Sequence, residues 1–143
     1  GSLAAFPVWS DLAAALVLLE AEVLTAGAPR EAYPVSDYLA DGALRKSALV
    51  TGIRFLASPP ATKYFRQVLT TFDYPAFTVA AVRSGKGVRA AVGGTKERVS
   101  LYDNPAGAQP EVPGRFGSSA EYLSRCAAIE LQRLVDALLE VDA

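Results

Sequence analysis

The side chains that could carry chemistry in this sequence are carboxylates, amines, guanidinium groups and phenols. The 143 residues include no histidine and one cysteine, Cys126. These absences exclude a Cys/His metal site, a cysteine-ligated cluster and a Ser-His-Asp triad. Asp11 interrupts the apolar segment GSLAAFPVWSDLAAALVLLEAEVL. It could cap the helix that begins there, or its carboxylate could face a ligand.

The amino-acid composition argues against some classes of binding partner. Fourteen Lys and Arg residues balance fifteen Asp and Glu residues, which argues against a nucleic-acid interface. No charge-free run of 18 apolar residues appears, so we expect no membrane span, and we see no secretory leader. The lone cysteine fits a reducing compartment, and we expect a cytoplasmic protein. Because the chain lacks methionine, we expect a portion of a longer protein.

Hydrophobic spacing predicts two main helices. The first spans Ser10–Glu20, with Ser10 or Asp11 as its cap, and the second starts at a capping box formed by Ser118 and Glu121. One apolar stripe follows the last helix and predicts packing against a sheet. Its members are Leu123, Ala127, Leu131, Leu134, Leu138 and Val141. The short segment YPVSDYL predicts one more helical turn, capped by Ser36 or Asp37.

Alternating apolar residues predict antiparallel strands between these helices. In the segment TKYFRQVLTTF, alternation places Tyr64, Arg66 and Val68 on one face. A hairpin is expected in FTVAAVRSGKGVRAAVGG, and a loop in the Pro- and Gly-rich segment YDNPAGAQPEVPGRFG. Further strands are expected at 21–25 and 48–57. Consecutive strands at hairpin spacing predict an antiparallel sheet, and the order of elements predicts an α+β fold.

Several segments, taken in order, resemble the FAD-binding medium subunit of molybdenum hydroxylases, the carbon monoxide dehydrogenase and xanthine dehydrogenase group. The resemblance starts with GSLAAFPVWSDL, where a glycine motif precedes Ser-Asp-Leu at a helix start. It continues through YPVSDYL, GALRKSALVTGIRF and KYFRQVLTTFDYPAFTVAAV. It ends at SSAEYLSRC, similar to the family's final helix.

The resemblance implies a set of FAD-contacting residues. Gly1 and Ser2 match the end of a glycine motif whose backbone approaches FAD, and Asp11 matches an aspartate that hydrogen-bonds the cofactor. Val50 matches an apolar position beside the isoalloxazine ring. Arg66 matches a basic position near the flavin, where a cation could stabilise the reduced ring.

The resemblance also implies a domain organisation and partners. Residues 1–57 would end an FAD-binding domain. Residues 58–143 would form the flavoprotein's C-terminal domain, a small three-stranded antiparallel sheet packed by a long helix. The molybdopterin and the iron–sulfur clusters would lie on other subunits or domains, and electrons would pass from the clusters through FAD to an external acceptor. The family's first glycine-rich phosphate motif has no counterpart in this sequence, so we expect no tight FAD binding by this chain alone.

Two other classes of function stay open at the level of sequence. With 51% hydrophobic residues, the chain could be a cofactor-free interaction or scaffold module, including a homodimer. It could also be a small enzyme, if folding gathers Asp11, Arg66 and Asp73 in a deep pocket.

Overall fold

A computed structural model describes residues 2–55, 61–71, 73–85 and 87–140. Across these residues the fold is α+β, as expected, with two antiparallel sheets and a long C-terminal helix. Gly1, Lys86 and Val141 lie outside the described residues, so predictions that fall on them stay untested. No helix in the described part of the chain is long and apolar enough to cross a membrane.

The first half of the chain builds a three-stranded sheet in the order β2-β1-β3 with short helices around it. Its elements are α1 (Ser2–Ala5), α2 (Ala13–Leu18), β1 (Glu22–Ala26), β2 (Ala32–Pro34), α3 (Val35–Ala40), α4 (Gly42–Ser47) and β3 (Leu49–Arg54). The short helix predicted near residue 36 is therefore present. It follows Pro34 with no side-chain cap, so the capping role expected for Ser36 or Asp37 is wrong.

A bulge breaks the alternation of β3. Thr25 and Leu24 of β1 pair with Val50 and Gly52 of β3, which leaves Thr51 as the extra residue. The side chains on either side of a bulge no longer follow a strict period of two. Val50 and Ile53 accordingly both pack against the buried cluster beneath this sheet.

The second half forms a four-stranded antiparallel sheet in the order β4-β5-β6-β7. Its elements are β4 (Thr62–Gln67), β5 (Phe77–Ser84), β6 (Gly87–Thr95), β7 (Arg98–Tyr102) and the helix α5 (Ala120–Leu139). The hairpin of β5 and β6 confirms the prediction. The expectation of three strands is wrong, because β7 forms from RVSLY, where apolar side chains alternate with polar ones.

Helix α5 covers one face of this sheet through the predicted stripe. Leu123, Ala127, Leu131 and Leu138 are buried against β5 and β6, and Leu134 packs beside them. The cap is Ser119, whose hydroxyl accepts a hydrogen bond from the Tyr122 N–H at 3.2 Å. The predicted capping box at Ser118 is therefore wrong by one residue.

Helix α2 covers the opposite face of the four-stranded sheet. It also contributes side chains to the core of the three-stranded sheet. Ala13 and Leu16 pack with the first sheet, whereas Ala14 and Leu18 pack with residues of β5 and β6. Small residues permit this close approach. A Cβ added to Gly93 would lie 2.5 Å from the Thr78 hydroxyl oxygen and 3.3 Å from the Ala14 Cβ.

Helix α2 is shorter than predicted at both ends. At its start, the Ser10 hydroxyl accepts from the Ala13 N–H at 3.3 Å, so Ser10 rather than Asp11 satisfies the first turn. At its end, Glu20 adopts a left-handed φ of 52°, and the Ala21 N–H bonds the Leu16 carbonyl at 3.0 Å. This is a Schellman ending, closed here by glutamate instead of glycine.

The domain boundary expected after residue 57 stays a prediction, because that position lies outside the described residues. The first sheet ends at Arg54 and the second begins at Thr62. Since α2 contributes to the core of both sheets, the two halves share buried surface.

Truncation of the α5 stripe should destabilise the fold strongly. Leu131→Ala removes a side chain that is 1% exposed, and we expect a loss of about 3 kcal/mol in the free energy of unfolding measured in urea. Ile129→Ala, on the same helix but 51% exposed, is the control and should change it by about 0.5 kcal/mol or less. Equal losses in the two variants would contradict the packing described for α5.

Candidate functional site

Asp11 makes an ion pair across the molecule. Its Oδ1 accepts from Arg66 Nε at 2.6 Å, and its Oδ2 lies 3.4 Å from Arg66 Nη2. Because Ser10 already serves the first turn of α2, the Asp11 carboxylate is available for this contact. The sequence allowed two roles for Asp11, a helix cap or a contact with a ligand. The structure excludes the cap, because Ser10 takes that role.

Strand β4 supplies two partners for the start of α2. Tyr64 and Arg66 are two residues apart, so they project from the same face of the strand, as alternation predicts. The Tyr64 hydroxyl donates to the Asp11 backbone carbonyl at 2.9 Å. The Asp11 segment is therefore held to β4 through both its backbone and its side chain.

Arg66 also fixes the loop between β4 and β5. Its Nη2 donates to the Asp73 carbonyl at 2.5 Å, while the Asp73 carboxylate accepts from the Thr70 N–H at 3.0 Å. This loop places the ring of Tyr74 at 5.6 Å from the ring of Trp9, centroid to centroid. We call the resulting set the Asp11 cluster. It comprises Trp9, Asp11, Tyr64, Arg66, Asp73 and Tyr74.

In the Asp11 cluster, the charges of Asp11 and Arg66 offset each other, and the Asp73 carboxylate adds a second negative charge. The hydrogen bond that Arg66 donates to the Asp11 carboxylate raises the pKa of Arg66, which therefore stays cationic. Burial, and then the negative charge of Asp11, raise the pKa of Tyr64 to about 12, so its hydroxyl remains a donor. Asp11 and Arg66 are bonded to each other, so neither is a free acid or base. The enzyme hypothesis based on Asp11, Arg66 and Asp73 gains no support from this arrangement.

The other predicted site residues are not part of the Asp11 cluster. Val50 lies in the other sheet, opposite Thr25, with its side chain against the core of that sheet. Ser2 begins α1, and Gly1 lies outside the described residues. The structure thus brings together Asp11 and Arg66 from the predicted set.

The aromatic members of the cluster were not identified as site residues from the sequence. Alternation indicated that Tyr64 shares a face with Arg66, and this could have suggested its role. The contact between Trp9 and Tyr74 joins a segment before α2 to a loop after β4. No local pattern predicts a contact between segments so distant in the sequence.

The Asp11 cluster presents exposed aromatic rings, whereas its guanidinium group is already bonded. Trp9 and Tyr74 are 42% and 64% exposed, and aromatic side chains of this kind can stack against planar rings. Phosphates need free backbone N–H groups or free cations. In the loop of the cluster, however, the N–H of Thr70 and that of Asp73 already bond within the loop, and Arg66 is committed to Asp11.

Comparison with known proteins finds matches among solved structures. No protein-family model and no curated protein matches the chain. Among solved structures, a carbon monoxide dehydrogenase from Hydrogenophaga pseudoflava, which lacks the Mo-pyranopterin moiety of the molybdenum cofactor, matches with a TM-score of 0.77. That match is 17% identical and covers 96% of this chain and 58% of the other.

A reconstituted CO dehydrogenase from Oligotropha carboxidovorans also matches, with a TM-score of 0.69 at 19% identity, over 95% of this chain and 58% of that one. The chain therefore has the fold of a part of these dehydrogenase chains, and it spans less than two thirds of their length. The resemblance read from the sequence is confirmed at the level of the fold.

Substitutions in the ion pair should move the pKa of Tyr64 in opposite directions. Asp11→Asn removes a negative charge and should lower this pKa, whereas Arg66→Gln removes a positive charge and should raise it. NMR titration of ring-labelled tyrosine measures both. If the parent protein and both variants gave the same titration curve, the pKa of Tyr64 would not depend on the charges of Asp11 and Arg66.

Because the folded-state pKa of Tyr64 lies above the ordinary value of 10.0, its contribution to stability is complete below pH 10.0 and is lost as the pH rises toward about 12.

Proposed function

We propose that this chain is the C-terminal portion of an FAD-binding subunit in a molybdenum-containing oxidoreductase, a subunit that relays electrons through FAD. The observation that carries the proposal is the likeness to two carbon monoxide dehydrogenase chains over 95–96% of this chain. The order of the sequence motifs supports the same assignment independently of the coordinates. Molybdopterin and iron–sulfur subunits are the partners that this assignment implies.

The proposal divides the cofactor between two parts of a longer protein. This chain covers 58% of the first matched chain, and in the described part of the Asp11 cluster the N–H groups of Thr70 and Asp73 are already bonded within the loop. We assign the diphosphate to a portion of the protein without a counterpart here. The flavin ring would then lie toward the Asp11 cluster. Gly1, Ser2 and Val50 are further proposed contacts of the cofactor, and none of them is a member of this cluster.

Bound FAD would supply the redox chemistry, and the residues of this chain would set its surroundings. Arg66 keeps its positive charge because Asp11 holds it as a cation, and Tyr64 stays protonated across the physiological range. Asp11 has lone pairs to spare, so it can accept a hydrogen bond from a ligand while it binds Arg66. The pair therefore orients both groups before a ligand arrives.

A second candidate is a cofactor-free interaction or scaffold module, which includes a homodimer. Large apolar side chains on the surface favour it: Leu49 is 69% exposed and Leu69 is 65% exposed. Such side chains, when they form a contiguous patch, mark protein interfaces. This candidate predicts that the chain binds a protein partner and that no flavin accompanies it.

The product of the complete gene distinguishes the two candidates. We expect the purified protein to carry visible flavin absorbance, and the 143-residue chain alone to show no micromolar or tighter FAD uptake on titration. Absence of flavin from the complete protein, together with no uptake on titration, would contradict the proposal. Micromolar binding by the short chain would contradict the division of the cofactor.

Arg66→Gln in the complete protein should retain flavin but lower its midpoint potential, because a cation near the ring stabilises the reduced form. Arg54→Gln is the matched control, since it breaks a strand arginine's ion pair with Glu22 away from the Asp11 cluster. Equal midpoint potentials in the two variants would show that Arg66 does not lie near the flavin.

A further inference from the structure

A polar cavity lies between the turn that joins β6 to β7 and the loop that follows β7. Its volume is about 230 Å³, and every side chain that lines it is polar. Ligand cavities in proteins are lined mostly by apolar side chains, so a fully polar lining indicates a small polar ligand. We call it the Tyr102 cavity. Its lining includes Thr95, Lys96, Ser100, Tyr102, Gln109 and Glu111.

A long loop forms one wall of the Tyr102 cavity. The chain between Tyr102 and Ala120 contains no helix and no strand beyond an isolated bridge. Loops of this length without secondary structure are uncommon in compact domains, and many carry function. This one is fixed to its neighbours, because the Lys96 N–H donates to the Glu111 carbonyl at 3.1 Å and the Val112 N–H donates to the Ser124 hydroxyl at 3.0 Å. The wall therefore has a defined position.

A row of hydroxyl groups faces this wall. The Ser100 hydroxyl donates to the Thr95 hydroxyl at 2.9 Å, and Thr95 is 2% exposed. Burial raises the pKa of the Tyr102 hydroxyl, and a hydrogen bond with Ser100 acts in the opposite direction, so the phenol stays protonated. Three hydroxyls joined by two hydrogen bonds contain three hydrogens. One donor of the row is therefore left for a ligand.

The charges that line the Tyr102 cavity do not favour an anion. Lys96 Nζ donates to Glu111 Oε2 at 2.6 Å, which raises the pKa of Lys96 and lowers that of Glu111, so the two charges offset each other. Glu97 also lines the cavity and adds a further negative charge. Throughout the part of the chain that the structure describes, no cluster of His, Cys, Asp or Glu side chains could hold a metal ion. The lining thus suits an uncharged ligand.

We propose that the Tyr102 cavity binds a small uncharged polyhydroxyl compound, of the size of a polyol or a monosaccharide. The hydroxyls of such a compound donate and accept, as do the row of hydroxyls and the Gln109 carboxamide. The carboxylates of Glu97 and Glu111 can accept charge-assisted hydrogen bonds from it. The cavity shares no lining residue with the Asp11 cluster, and the proposal does not rest on the proposed flavin.

myo-Inositol and cyclohexanol are suitable probes, because they have the same carbon ring. Inositol carries a hydroxyl group on every ring carbon, and cyclohexanol carries a single one. In amide NMR titrations we expect weak but saturable shifts with inositol, confined to residues around the Tyr102 cavity, and none with cyclohexanol. Tyr102→Phe keeps the ring and should weaken inositol binding about fivefold, since one hydrogen bond is lost. Tyr122→Phe, an exposed phenol on α5, is the matched control and should bind inositol as the parent does.

Gln109→Ala separates binding from folding. This side chain is exposed on the loop, so its removal should leave the unfolding temperature unchanged while weakening inositol binding. Absence of saturable shifts in the parent protein would overturn the proposal, as would shifts that map away from the cavity. Equal responses to inositol and cyclohexanol, or equal binding of inositol by Tyr102→Phe and Tyr122→Phe, would also overturn it, because the hydroxyl groups would then not be recognised.

Discussion

The fold depends on the burial of α2 between two sheets. Ala14 and Ala13 are 0% and 1% exposed, and they face different cores of the molecule. A short helix can be buried on two sides only if its neighbours leave room for it. Gly93 provides that room on the second sheet, where any side chain would collide with Thr78. The two halves of the chain are joined by this packing.

The position of α2 explains why the Asp11 cluster exists. The segment that leads into the helix must pass the edge strand β4, which brings Asp11 to Arg66 and Tyr64. Arg66 then orders the loop that carries Tyr74 to Trp9. A ligand site built in this way would combine residues from both halves of the chain, so its geometry would depend on their holding together as one body.

Local patterns predicted much of this architecture. The stripe on α5 and the hairpin of β5 and β6 are periodic over many residues, and both are present. Boundaries and caps were less predictable, because two adjacent serines, Ser118 and Ser119, offer the same hydroxyl to the helix end. The strand β7 was missed because it is short and follows a charged turn. The bulge in β3 depends on its pairing partner, which the strand's own sequence does not reveal.

The sites were less predictable than the fold. Asp11 and Arg66 were both proposed as flavin contacts on the strength of a family resemblance, but their ion pair was not foreseen, since it joins distant segments. The residue types of this pair were visible in the sequence, whereas their proximity is a product of the packing around α2.

Native-state hydrogen exchange tests most directly whether α2 unites the two sheets. If the shared burial of this helix couples them, amides in β1, in α2 and in β5 should exchange through openings of the same free energy, which should equal the global free energy of unfolding. A separate opening of β1 at a clearly lower free energy, with β5 still protected, would show that the sheets are independent units and would contradict this account.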